Sequence, residues 1–323
     1  MNDFLREIEN AGTIVILGHK RPDGDCVGSC LGVYNYVLDN YSDKTVDIYL
    51  DEFSQEFAFL RGADKIWHEK QDKSYDLCIS LDSGDLDRHG EFESYFHDAK
   101  RTMCIDHHVS NVGFGDVCFV KTECSAAAEV IYTLLEEEKI GVECAECLYL
   151  GIVHDTGVFK HSNTTKQTME IAGALLEKGA RSNVVIDGTF YKKTFKQNKM
   201  LAKALDAAFL MFGGKVIVSC LTKDVFDEYE ATNLDTDGVV DALRITDGVE
   251  CALWMYEYPK QGTFKCSLRS NDYVNVNLIA CAFGGGGHVR AAGCEVDGDK
   301  DTIILKVTDM IKEQIEAYEH DNK

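Results

Sequence analysis

Four short segments each place metal-type side chains at the end of an apolar run. Gly18-His19-Lys20-Arg21-Pro22-Asp23-Gly24-Asp25 follows Thr13–Leu17, and Leu81-Asp82-Ser83-Gly84-Asp85 closes Leu77–Leu81. Ile105-Asp106-His107-His108 follows the run at 102–105, and Val153-His154-Asp155-Thr156-Gly157 ends a helical pattern through Leu148 and Ile152. A single Asp after a strand is commonly a helix cap or a turn residue. Several at equivalent positions point instead to convergence on one edge of a sheet. Carboxylates mixed with a minority of imidazoles suit Mn²⁺, with Mg²⁺ as the second candidate, rather than the thiolate-rich sites that hold zinc. Two such ions about 4 Å apart clamp non-bridging phosphate oxygens and acidify bound water, so the chemistry on offer is hydrolysis of a phosphate ester. A metal-dependent amide or ester hydrolase would use the same ligand types.

The elements that must position these residues are legible as patterns. Strands are expected at Thr13–Leu17, 46–50, Leu77–Leu81 and 102–105. Between and after them, Val27, Leu31, Tyr34 and Val37/Leu38, and later Ala127, Val130, Ile131, Leu134 and Leu135, recur at helical spacing. This alternation predicts an α/β fold with a parallel sheet covered by helices. Ligands of such sheets bind beyond the carboxyl ends of the strands. Thr164 with Gln167 predicts a capping box opening a helix through Leu176.

A lysine-bearing helical stretch at 195–212, punctuated by Gly213-Gly214, predicts a connector. Beyond it come strands at 215–220, 249–258 and 263–268, a helix at 274–282, the glycine run 284–287, a strand near 293–296 and a helix from about Asp301. The expected organisation is a catalytic domain at 1–190, a helical connector at 191–213 and a smaller mixed α/β domain at 214–323.

Composition narrows the substrate. Asp and Glu outnumber Lys and Arg 55 to 33, giving a net charge of −22, whereas proteins that grip long nucleic acid present a basic face. Small phosphodiesters held by metals and a few placed cations fit this balance, and a processive single-strand exonuclease with a basic channel does not. Residues 1–10 are mixed and acidic, unlike a secretory signal, and no apolar run approaches membrane-spanning length. The 13 cysteines are odd in number and scattered through core-like runs, as expected of reduced thiols in a cytoplasm. Cys144 and Cys147 form a CxxC without a second pair and read as helix packing. His154 likewise reads as a packed or surface residue.

The glycine run offers backbone N–H groups that a phosphate could approach closely, notably around Gly286 and Gly287. His288 follows at once, and Arg269, at the end of an expected strand, carries the planar fork that suits a terminal phosphate. Arg88 is a further candidate cation, and Lys20 and Arg21 lie within the first segment.

In this order, the four segments resemble the motifs of the DHH phosphoesterase family, named for the triplet present here as Asp106-His107-His108. Phe283-Gly284-Gly285-Gly286-Gly287-His288, with Ala291-Ala292-Gly293 after it, resembles the motif of the DHH-associated C-terminal domain. The resemblance implies that His19 and Asp23 hold one metal, that Asp25, His107 and Asp155 hold the other, and that Asp82 bridges both. It implies that Asp106 orients His107, that His108 donates to the scissile phosphate, and that Arg269 and His288 grip the substrate end away from the cut, across a cleft that limits substrate length. The expected activity is hydrolysis of short 5′-phosphorylated oligoribonucleotides to nucleoside monophosphates, with phosphatase action on 3′-phosphoadenosine 5′-phosphate. Cleavage of cyclic dinucleotides or their linear products is the alternative, and a silent nucleotide sensor a third reading. An inorganic pyrophosphatase of the related family fits less well, because its second domain lacks this glycine motif. The expected partners are short oligonucleotides or nucleotides, with no long nucleic acid and no membrane; a homodimer is left open.

Overall fold

The structure, a computed structural model, describes residues 2–322. The chain divides into two compact units, Met1–Lys192 and Lys193–Lys323.

The first unit is built on six parallel strands in the order 3-2-1-4-5-6: β1 (Thr13–Leu17), β2 (Thr45–Tyr49), β3 (Ile66–Trp67), β4 (Leu77–Leu81), β5 (Arg101–Asp106) and β6 (Val117–Val120). That order reverses direction between β1 and β4, and the crevice beyond such a reversal is where doubly wound sheets bind ligands. The central strands β1 and β4 are apolar without alternation because both faces are covered. Ile14 and Ile16 meet the larger helical core, while Val15 and Leu17 pack with Tyr49, Cys78, Phe92, Tyr95 and Phe96. The helices are α1 (Asp3–Asn10), α2 (Gly24–Asn40), α3 (Glu93–Asp98), α4 (Ala127–Tyr132), α5 (Val142–Asp155), α6 (Lys166–Glu177) and α7 (Ser182–Ile186).

Helices α2 and α5 approach closely through glycines. A Cβ on Gly28 would lie 2.5 Å from the Cys147 carbonyl oxygen, and one on Gly151 would lie 2.4 Å from Asp25 Oδ1. Cys144 and Cys147 are fully buried in this packing, as a helix-packing role requires. The capping box of α6 is shifted by one residue from the expected pair: Thr165 and Thr168 exchange the bonds, not Thr164 and Gln167.

The second unit holds a six-stranded mixed sheet in the order β11-β12-β10-β9-β8-β7. Its elements are α8 (Phe195–Asp206), β7 (Phe209–Met211), β8 (Val216–Leu221), α9 (Lys223–Glu228), α10 (Val239–Arg244), β9 (Cys251–Glu257), β10 (Thr263–Ser270), α11 (Val276–Ala282), β11 (Gly286–His288), β12 (Ala291–Asp297) and α12 (Lys300–Asp321). Only β8 and β9 pair in parallel. One face carries Phe264, Cys266 and Leu268 into a core with α11 and α12. On the other, Ala252, Trp254 and Tyr256 pack with Ile217, Leu221 and residues of α8, α9 and α10.

The stretch expected as a helical connector differs from that reading. It is helical only over Phe195–Asp206, and Met200 and Ala204 are buried in the second unit's own core, while Phe209–Met211 pairs with β8. No helix among the described residues is long and apolar enough to cross a membrane.

Candidate metal centre

The four segments sit at the carboxyl ends of β1, β4 and β5 and at the end of α5, and they bring His19, Asp23, Asp25, Asp82, His107, His108 and Asp155 together. Asp82 is central. Its Oδ2 lies 3.5 Å from His19 Nε2, and its Oδ1 lies 3.6 Å from both His107 Nε2 and His108 Nδ1. Asp82 is only 2 % exposed and its Oδ1 has no hydrogen-bond partner. An unpaired buried carboxylate oxygen is costly, and imidazole nitrogens at 3.5–3.6 Å on either side leave the spacing that ions bridged by one carboxylate would fill. Asp82 also holds a φ of +53°, a left-handed backbone that is uncommon outside glycine and that is found at sites where a side chain must be aimed.

Each neighbour is oriented by its own element. His19 Nδ1 donates to the Lys20 carbonyl at 2.8 Å, which leaves Nε2 as the ligand nitrogen. Asp23 is the N-cap of α2, accepting from the Asp25 and Cys26 amides at 3.1 Å, and its Oδ1 is 3.7 Å from His19 Nε2. Asp25, fully buried, accepts from Ala127 N at 2.6 Å, from Ala128 N at 3.0 Å and from Ser29 Oγ at 3.1 Å. It therefore caps α4 from a different helix, as a carboxylate at a helix N-terminus favours. His107 Nε2 lies 3.1 Å from Asp155 Oδ2 and 3.9 Å from Asp25 Oδ2. Among the described residues, His19, Cys26 and Asp82 form one candidate ligand group, Asp82, His107 and His108 a second, and Asp25, His107 and Asp155 a third.

The titration of the cluster follows from its crowding. Burial disfavours the His107 imidazolium, but Asp155 and Asp82 outweigh it and push its pKa up to about 12. Burial, together with the charges of Asp82 and Asp155, raises Asp25. Protons on these groups offset the carboxylates here, as dications would.

One expected role is corrected. Asp106 does not stand behind His107; its Oδ1 accepts from His108 Nδ1 at 2.8 Å, and its Oδ2 accepts from Asn111 at 2.7 Å. The reason is the turn after β5, which folds Asn111 back over the triplet and also ties it to the Ser83 carbonyl. The Asp106 bond raises His108 above the ordinary imidazole value.

The sequence profile of the DHH family's N-terminal domain matches residues 13–152, and that of the DHHA1 domain matches residues 213–317. The chain belongs to the DHH family. As a DHH protein it is a metal-dependent phosphoesterase. It is 27% identical to the bifunctional oligoribonuclease and PAP phosphatase NrnA of Bacillus subtilis, over 96% of this chain and 98% of that protein. It is 25% identical to the cyclic-di-AMP phosphodiesterase GdpP of the same organism, over 97% of this chain but 49% of that protein. In structure it is similar to an exopolyphosphatase-related protein from Bacteroides fragilis, with a TM-score of 0.81 over 98% of this chain and 95% of that one at 24% identity. That likeness bears on the fold.

Within the DHHA1 sheet, Arg269 on β10 pairs with Ala291 on β12, which pairs with His288 on β11. The three share a rung and a face, so Arg269 and His288 stand two strand spacings apart, about 10 Å. Arg269 lies 3.7 Å from Asp241 and opens on a cavity of about 330 Å³ lined also by Trp254, Tyr256 and Ser267. The Trp254 indole nitrogen is buried without a partner. The glycine run differs from a free phosphate loop. Cβ atoms on Gly285 and Gly287 would lie 2.1 and 2.5 Å from carbonyl oxygens of β12, so those two are glycine because strands approach there. A Cβ on Gly286 would meet only Asn277 Oδ1, at 4.0 Å.

Arg88, Lys20 and Arg21 are exposed, and the Lys20 amide donates to the Arg88 carbonyl, which ties their two loops together. His154 is packed, as expected, against Phe57 and Phe190 with Nε2 2.9 Å from Thr189 Oγ1, and burial lowers its pKa to about 4. The sequence reading missed Asn111, Cys26 and the buried His89, whose ring links Ser80 on β4 to the Gly18 carbonyl after β1. Asn111 carried a signal, being the first amide side chain after the triplet, whereas His89 carried none.

Proposed function

We propose that this DHH protein hydrolyses short 5′-phosphorylated oligoribonucleotides to nucleoside monophosphates and removes phosphate from 3′-phosphoadenosine 5′-phosphate. The observation that carries the proposal is the buried Asp82, whose Oδ2 faces His19 while its Oδ1 faces His107 and His108 without a hydrogen bond. In this reading His19 and Asp23 hold one ion, Asp25, His107 and Asp155 hold the other, and Asp82 reaches both. The ions, two Mn²⁺ with Mg²⁺ as substitute, supply Lewis acidity toward the phosphoryl oxygens and an acidified water. His108, fixed by Asp106, keeps Nε2 for a hydrogen bond to the scissile phosphate. Arg269 and His288, on one rung of the second unit's sheet, bind a terminal phosphate with Gly286 and Gly287 as further contacts there, and Arg88 is a further contact in the first unit.

The near-equal length and end-to-end match with NrnA support this substrate class, and the net charge of −22 agrees with short substrates. A second reading, cleavage of cyclic di-AMP or its linear product, draws on the match to GdpP across 97% of this chain. Wild type and Asp82→Ala are compared in Mn²⁺ on a 5′-phosphorylated RNA dinucleotide, a 24-mer, 3′-phosphoadenosine 5′-phosphate and cyclic di-AMP. Rapid loss of the dinucleotide and the bisphosphate, absent in the variant, is the expected result. Preference for cyclic di-AMP would transfer the same metal centre to the second reading.

A further inference from the structure

We propose that the Cys26 thiol is a ligand of this centre, joining His19 and Asp82 around one cation and giving that position an affinity for thiophilic dications. The inference rests on the metal-centre reading and extends it to a residue type that the carboxylate and imidazole set does not contain. Cys26 Sγ, a His19 ring nitrogen and an Asp82 carboxylate oxygen all lie within 4.8 Å of one another, and all three residues are buried. Ligand atoms sharing one tetrahedral ion lie about 3.5 Å apart, so contraction of roughly an ångström closes the set.

Two independent features aim the thiol at that point. Cys26 is the third residue of α2, and its amide is held at 3.1 Å by Asp23 Oδ1, which itself lies 3.7 Å from His19 Nε2. A Cβ on Gly18 would fall 2.3 Å from Cys26 Sγ, so the sulfur lies directly under the chain entering His19. Asp82 turns its Oδ2 to the same point, 3.5 Å from His19 Nε2, while its buried Oδ1 is left without a hydrogen bond. On binding, a metal–sulfur bond forms, the S–H bond breaks and the proton leaves to solvent. A set with one thiolate prefers Zn²⁺, Co²⁺ or Cd²⁺ over Mn²⁺ and Mg²⁺.

The test titrates the metal-free full-length protein with Co²⁺ and records its absorption. Wild type is expected to show cobalt d–d bands and a near-ultraviolet sulfur-to-cobalt band. In Cys26→Ala the d–d bands persist and the sulfur band is lost, while Cys30→Ala keeps both. In competition against Mn²⁺, the preference for Zn²⁺ falls about tenfold or more in Cys26→Ala. Cobalt d–d bands without a sulfur band in wild type, or a sulfur band that survives Cys26→Ala, overturns the thiol ligand and leaves the metal centre standing. No Co²⁺ binding at all overturns both.

Discussion

At the residue scale, the centre is a set of like charges held together by protons until cations replace them. His107 is pushed up to about 12 and Asp25 is also raised, so the folded chain keeps protons that the unfolded chain releases. The sign follows: stability from His107 is complete below its unfolded value of about 6.5 and is lost as pH rises toward the folded value, and Asp25 acts in the same direction above its own unfolded value. Metal-free protein is therefore expected to melt at lower temperature at pH 9 than at pH 7, and added Mn²⁺ to reverse the trend; thermal melts across that range check it. Asn111 fixes Asp106 and, through it, His108. Asn111→Ala is expected to lower kcat about 10- to 100-fold with metal affinity unchanged, read by kinetics and by metal titration. The metal-type residues were legible because their chemistry is written in their side chains. Asn111 was not assigned because its place just after the triplet does not by itself reveal the turn after β5 that folds it onto Asp106. Cys26 was hidden in the opposite way, since a cysteine on an apolar helix face looks like a small hydrophobe.

At the element scale, the two metal-bearing helices are brought into register by the absence of side chains. Gly151→Ala would press a methyl group against Asp25 Oδ1 at 2.4 Å and against Ala128 Cβ at 2.7 Å. A loss of about 1–3 kcal/mol is expected, with weakened metal binding. Gly173→Ala on the exposed face of α6 meets nothing within 4 Å and is expected to be neutral or to stabilise by up to about 1 kcal/mol. Denaturant melts of the pair separate crowding from helix propensity. Strands β1 and β4 were readable to the residue because double burial makes them continuous apolar runs. Ile66–Trp67 and Val117–Val120 were not foreseen: they are the sheet's edge strands, short or half-exposed, and carry no such run. The cap of α6 slipped by one because adjacent threonines compete for one position, and Thr165 takes it with Thr168 returning the bond.

At the scale of the molecule, each unit has its own sheet and its own buried core. Calorimetry of the full chain is therefore expected to show two transitions, of which Mn²⁺ raises one, and Asp82→Asn to abolish that rise. A single transition that Mn²⁺ shifts as a whole would contradict it. The α/β character of both units was legible from periodicity. The membership of α8 was not, because lysines on its exposed side mask the burial of Met200 and Ala204. One carboxylate joins these scales. Asp25 both faces His107 and receives the Ala127 and Ala128 amides that open α4. In a duplicated gene freed from selection for catalysis, the exposed His108 can drift with less harm to folding, whereas loss of Asp25 strands two buried amides. Decay of such a copy would leave that aspartate behind, a fossil of the reaction preserved by the helix it holds.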